Sequence, residues 1–226
     1  PVLPKGNNLS LHLLELFTSR VAKVGMTDGI RQVLQEESDA LRAYYEQAGI
    51  LIARPVGGTS CRLAISAKGG TNAENHNHND VGSYAVALGS ETMVGDQGGP
   101  NSYPGDYFNG DAPQKYKIKG SFGHPVPVVD GRTQSSGGKA KGVVLQKEFT
   151  NEKDVFSIDY TSAYSTPNLD KLIRTFVYDR QGKGSFTVGD EFTAKTPIRF
   201  ETAITTRADW KILDDTHLLL ATDSEQ

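Results

Sequence analysis

The sequence predicts a mainly β fold: an antiparallel β-sandwich preceded by a short helical segment. Three observations lead there. Leu9, Leu13, Leu16 and Phe17, then Val33, Leu34, Leu41 and Tyr44, recur at helical spacing. After Gly49 the chain changes to short β-like runs separated by turn residues. No helical pattern lies between those runs, and parallel pairing would need long crossovers, so the strands must pair antiparallel and pack sheet on sheet.

Taken in order, residues 1–48 read as a helical leader of two helices with a break near Gly25 to Gly29, where Thr27 or Asp28 caps the second. Such a leader cannot bury its apolar stripe alone. It must pack on the sandwich or belong to the end of an N-terminal α-domain. Residues 49–226 form the β-domain. Its strands are expected at Arg62 to Ala67, Tyr84 to Leu88, Gly142 to Phe149, Val155 to Tyr160, Leu172 to Tyr178, Ser185 to Phe192, Ile198 to Thr205 and Trp210 to Leu213. Arg180 to Gly184, RQGKG, makes a hairpin connection, and the Gly/Ser-rich Thr133 to Gly142 reads as a mobile loop. There is no repeat of fixed period.

Composition narrows the function classes. With 24 Lys+Arg against 27 Asp+Glu, the net charge of −3 gives no general attraction to nucleic acid or acidic membranes. No apolar run is long enough for a membrane span, and no apolar leader precedes a cleavage site. The chain begins at Pro1 and enters a helical pattern almost at once, which fits a mature product or an excised fragment. A single cysteine, Cys61, excludes an internal disulfide and a multi-cysteine metal site, and reads as a packed thiol.

The motif with chemistry is NHNHNDVGSYAVALG, Asn75 to Gly89. In extended backbone His76, His78 and Asp80 share a face, which is ligand-like spacing, and imidazole and carboxylate are good zinc ligands. A polar loop bonding its own backbone explains the same residues. Downstream, Asp96 precedes glycines at the end of an apolar run, and His124 sits between Gly123 and Pro125. A turn residue and a strand-end surface residue would look the same. Lys115, Lys117 and Lys119 alternate, sharing one face if extended, and Arg132 follows His124; a solvated strand face and an anion-binding rim both fit. Tyr84 reads as sheet packing, Tyr103 and Tyr107 as loop aromatics able to stack on a sugar, and Trp210 as core. His12 and His217 read as packing or surface residues.

Together, NHNHNDVGSYAVALGSETMVGDQGGPNSY, SFGHPVPVVDGRTQ and RTFVYDRQGKGSFTVGDEF resemble the C-terminal β-sandwich of the heparinase II/III-like polysaccharide lyases. The resemblance runs from about Gly49 to the C-terminus, and the order of its motifs is more specific than any one of them. It implies a preceding α/α-toroid domain, mostly missing from this chain, with substrate in the cleft between the two. By position it assigns His76 to the catalytic cleft and His78, Asp96 and His124 to a structural Zn2+, with water as a fourth ligand. Pro125 stands where many relatives have asparagine. On strand geometry alone His76 and His78 could both be ligands; separating them requires an irregularity near Asn77.

The implied chemistry is β-elimination on a uronic-acid-containing polysaccharide, heparin/heparan-like or alginate-like. The acidified C5 proton is removed and the C4 oxygen expelled, which needs a proton acceptor, a donor and stabilisation of the developing charge. In the family a toroid tyrosine does much of this, so the chain alone is expected to be inactive or nearly so. Lys115, Lys117, Lys119 and Arg132 would line the path of the acidic polysaccharide. The resemblance also implies a bacterial periplasmic or secreted location and leaves a homodimer open. The competing class is a carbohydrate-binding or structural β-module that retains the metal site without chemistry. A zincin-type hydrolase fits poorly, since there is no HExxH helix.

Overall fold

The computed structural model describes residues 40–224 except 97, 100–101 and 110–111. The expected helices up to residue 39, with His12 and the cap at Thr27 or Asp28, lie outside the described residues.

The described chain is an antiparallel sandwich. One sheet has five strands in the order β1-β2-β3-β5-β6: Arg42–Tyr45, Ile50–Ala53, Leu63–Lys68, Tyr84–Leu88 and Glu91–Val94. The short β4, Thr71–Asn72, leaves this sheet to pair with β8, Gly137–Lys141; β7 is Val128–Val129. The second sheet has four strands in the order β12-β11-β10-β9: Ser185–Ala194, Leu169–Asp179, Lys153–Asp159 and Val143–Phe149. Two further pairs complete the fold. One joins β7 to β13, Phe200–Glu201; the other joins β14, Asp209–Ile212, to β15, Leu218–Ala221.

The core lies between the two large sheets. Leu51 and Ala53 of β2 and Ile65 and Ala67 of β3 meet Phe156 and Ile158 of β10 and Leu172, Phe176 and Tyr178 of β11. Each set follows the two-residue period of a strand, so one face of each sheet is apolar. Phe156, Phe176 and Phe186 form a run of parallel stacked rings across the second sheet. The β11–β12 hairpin turns at 180–184, as its glycines imply; Gly182 and Gly184 take positive φ, which glycine adopts without strain. Cys61 is buried, with its sulfur 3.6 Å from the Tyr178 hydroxyl.

Several expectations need correction. Leu41 and Tyr44 do not continue a helix: residues 42–45 pair with β2 through a turn that has Gly49 at φ 62. Tyr44 fits a strand because its ring packs edge-on against Phe149 and Phe156 of the opposite sheet. Half of the expected mobile loop is β8, which buries Ala140 and is ordered by pairing with β4. Of Ile198 to Thr205 only Phe200–Glu201 is strand. Trp210 is not core: it is 64% exposed on the β14–β15 hairpin, whose one face also carries Ile212 and Leu218.

Candidate functional site

The site is built from the segment between β4 and β5, the end of β6, and the turn before β7. A backbone reversal comes first. Asn77 donates its N–H to the Glu74 carbonyl, and His76 takes φ 59, a left-handed conformation that few non-glycine residues adopt. This is the irregularity that regular strand spacing lacks. It turns His76 outward, exposed, with its ring 4.5 Å from the ring of Phe108, while His78 points inward.

The amides around the histidines hold that backbone. Asn79 donates from its side chain to the Gln134 carbonyl at 3.0 Å and to Ser136 Oγ at 3.1 Å, and its own N–H bonds the Lys119 carbonyl. Asn72 donates to Gln134 Oε1 and accepts from the Asp80 N–H. The buried Gln134 completes the set, accepting from Val81 N and donating to Val81 O at 2.6 Å. Asn and Gln are used here because buried backbone groups in an irregular segment must find side-chain partners.

His78, Asp96 and His124 converge. Each offers a ligand atom, and these lie within 4.8 Å of one another. His78 Nδ1 is 3.1 Å from His124 Nε2 and 3.8 Å from Asp96 Oδ2. The other ring nitrogen of His124, Nδ1, is 3.7 Å from the same Asp96 oxygen. Ligands held at about 2.0–2.2 Å around a tetrahedral ion stand about 3.3–3.6 Å apart; each imidazole gives one nitrogen, and with one atom from each residue all three lie within 4.8 Å of one another, near enough for an ion to gather them. The donor set therefore fits a metal ion. His124 is 1% exposed, so it is an interior group and not a strand-end surface residue. Asp96 is held by the Gly98 N–H on its other oxygen at 2.6 Å.

The surroundings keep His78 neutral. Burial, then the nearby His124, push its pKa down to about 4, while Asp96 and Asp80 pull the other way. A neutral imidazole is the metal-binding form. Asp80, the third residue of the motif, is not in the triad. It takes Lys68 Nζ at 2.6 Å, and although burial alone would raise its pKa, Lys68 and the two histidines hold it below the usual carboxylate value. Behind Asp96 and His124 is a cavity of about 140 Å³, bounded also by Lys68, Asp80 and Tyr84.

A stability prediction follows for the metal-free chain. Between about pH 4 and 6.5 the unfolded chain binds more protons than the folded one through His78, so stability rises with pH. Stability fully present above pH 6.5 falls by about 2 kcal/mol at pH 5. Urea midpoints at pH 7 and pH 5 should show this loss in the chelator-treated wild type, and His78→Gln should remove it.

The basic residues are not arranged as a strand would place them. Ala112–Lys115 is a helical turn, α1, and Lys117–Lys119 a 3-10 turn, because the backbone closes local hydrogen bonds such as Tyr116 N–H to Ala112 O. Lys115 pairs with Asp106, and Lys117 lies exposed over the Phe122 ring at 5.8 Å. Lys119 is 2% exposed; it donates to the Tyr107 carbonyl at 2.8 Å under the rings of Tyr107 and Phe108. Arg132 is exposed and reaches the Ser165 carbonyl at 3.3 Å. Tyr107 is buried, so of the two loop tyrosines only Tyr103 offers an exposed ring, 5.2 Å from Phe108. His217 is exposed, paired with Asp214, and not one of the three residues of the cluster. Sequence reasoning missed Phe108 and Gln134; a lone aromatic in a loop and a lone glutamine before serines carry no spacing signal.

No family model and no curated protein matches the chain. Among solved structures the fold is similar to that of the heparan sulfate lyase HepC from Pedobacter heparinus, in two crystal structures, one of them of a mutant. In both the TM-score is 0.55 at 18% identity, and the match covers 73% of this chain and 25% of HepC. The chain thus spans a quarter of the length of that neighbour. Among the described residues no helix is long and apolar enough to cross a membrane.

Proposed function

We propose that this chain is the β-sandwich portion of a polysaccharide lyase that cleaves uronic-acid-containing polysaccharides by β-elimination, completed by an α/α-toroid domain. The observation that carries the reading is the left-handed turn at His76, which sends one imidazole to the surface and the next into a cluster with Asp96 and His124. The similarity of fold to a heparan sulfate lyase supports it.

In this reading His78, Asp96 and His124 hold Zn2+, which when bound cross-links the segments before β5, after β6 and before β7. His76, exposed beside Phe108, faces the sugar and serves in the proton transfer. The exposed rings of Phe108 and Tyr103 stack on the apolar face of a pyranose, while Lys117 and Arg132 meet its carboxylate or sulfate. Lys115 joins them by exchanging Asp106 for the substrate anion, and Lys119 supports the surface from beneath. The enzyme acts in the bacterial periplasm or outside the cell.

The second reading, a binding module without chemistry, draws on the same exposed aromatic surface. The complete parent protein, given heparan-type and alginate-type chains, should generate the ultraviolet absorbance of an unsaturated uronate. His76→Ala should slow it about 100-fold or more. Absence of that absorbance on every uronate polymer, with binding retained, supports the module instead.

A further inference from the structure

We propose that Arg174 is a positioning residue for the His78–Asp96–His124 cluster, one buried guanidinium that sets the spacing between the segments bearing the two histidines. The inference rests on reading the cluster as a zinc site. Arg174 occupies an inward position on β11 between Leu172 and Phe176 and is 1% exposed. A charge at a core position is costly unless fully paired.

Its pairing does more than neutralise it. Asp190 lies directly across on β12 and takes Nε at 2.8 Å and Nη2 at 2.6 Å, a bidentate fork. The remaining nitrogen, Nη1, donates to two carbonyls at 2.8 Å each, those of Gly82 and Pro125. Pro125 directly follows His124, and Gly82 ends the segment that runs from His78 through Asp80. Two rigid N–H bonds on one planar nitrogen fix the distance between those carbonyls.

The groups packed on Arg174 strengthen the arrangement. The Tyr84 and Tyr160 rings cover the guanidinium, and the Tyr160 hydroxyl donates to Asp190 at 2.8 Å. Gly82 takes φ 84, and a Cβ there would meet the Tyr160 ring at 3.2 Å, so the segment is seated closely against the same tyrosine. A lysine ammonium lacks the planar fork needed to keep Asp190 and both carbonyls together.

The test is zinc affinity of the full chain at pH 7, by competition with a chromophoric chelator, beside thermal unfolding. Arg174→Lys should weaken zinc binding by about 10- to 100-fold, the range for outer-shell partners of a metal site. Asp154→Asn is the control. It disturbs a different buried ion pair, with Arg180 and Arg42, and should lower the melting temperature while leaving the zinc Kd unchanged. Should Arg174→Lys fail to fold, Tyr160→Phe, which removes only the hydroxyl orienting Asp190, should weaken zinc by about fivefold. Wild-type affinity in the Arg174→Lys or Tyr160→Phe chain, or equal weakening by Asp154→Asn, overturns the proposal while sparing the zinc reading. A wild-type chain that binds no zinc overturns both.

Discussion

His124→Ala is expected to abolish the zinc-dependent rise in thermal midpoint. An ion that binds only the folded state stabilises it by about 2.7 kcal/mol when free zinc is a hundred times Kd. For a domain of this size that corresponds to about 5–10 °C. The variant should melt at one temperature with zinc or with chelator, and somewhat below the chelated wild type, since it leaves a cavity at a fully interior position. His217→Ala, at the exposed pair with Asp214, should keep the whole zinc response. Calorimetric scans with zinc and with chelator measure both. An unchanged midpoint in wild type after chelation would remove the metal from the account.

The second large effect is expected at Asp190. Asp190→Ala leaves the Arg174 guanidinium buried with its two carbonyl partners but no counter-charge, and strands the Tyr160 hydroxyl. Breaking one side of a buried pair costs about 3–5 kcal/mol. Urea denaturation at pH 7 should show that loss, and the double variant Arg174→Met with Asp190→Leu should recover much of it. A loss below about 1 kcal/mol would mean that solvent reaches the guanidinium despite its burial.

The fold was legible where strands carry both β-branched residues and a clean period of two. Leu169–Asp179 and Ser185–Ala194 are of that kind, with the turn glycines between them. Arg42–Tyr45 was not, because apolar residues at 41 and 44 satisfy a helical spacing as well as a strand at the sheet edge; tertiary packing of Tyr44 decides. Gly137–Lys141 was hidden by glycine and serine, whose local preference is for turns, and is a strand only because β4 lies beside it. At the site, the residues of the cluster could be named from motif order, yet their separation from His76 depends on one left-handed residue that leaves no mark in composition. The helical turn over the alternating lysines was equally invisible. An alternation of charge looks the same on a strand and on a solvated turn. Arg174 opens one of the quoted motifs, but its role was hidden for the opposite reason: inside LIRTFVY it occupies a core position where the pattern leads one to expect only hydrocarbon.

Trp210 is the chain's sole indole, and it stands open to solvent on a two-stranded ribbon outside the buried core cluster. Indole emission from this protein therefore reports on that ribbon and on whatever approaches it. The phenylalanine stack and the histidine cluster are silent in that channel, and their integrity has to be followed through backbone dichroism or heat capacity.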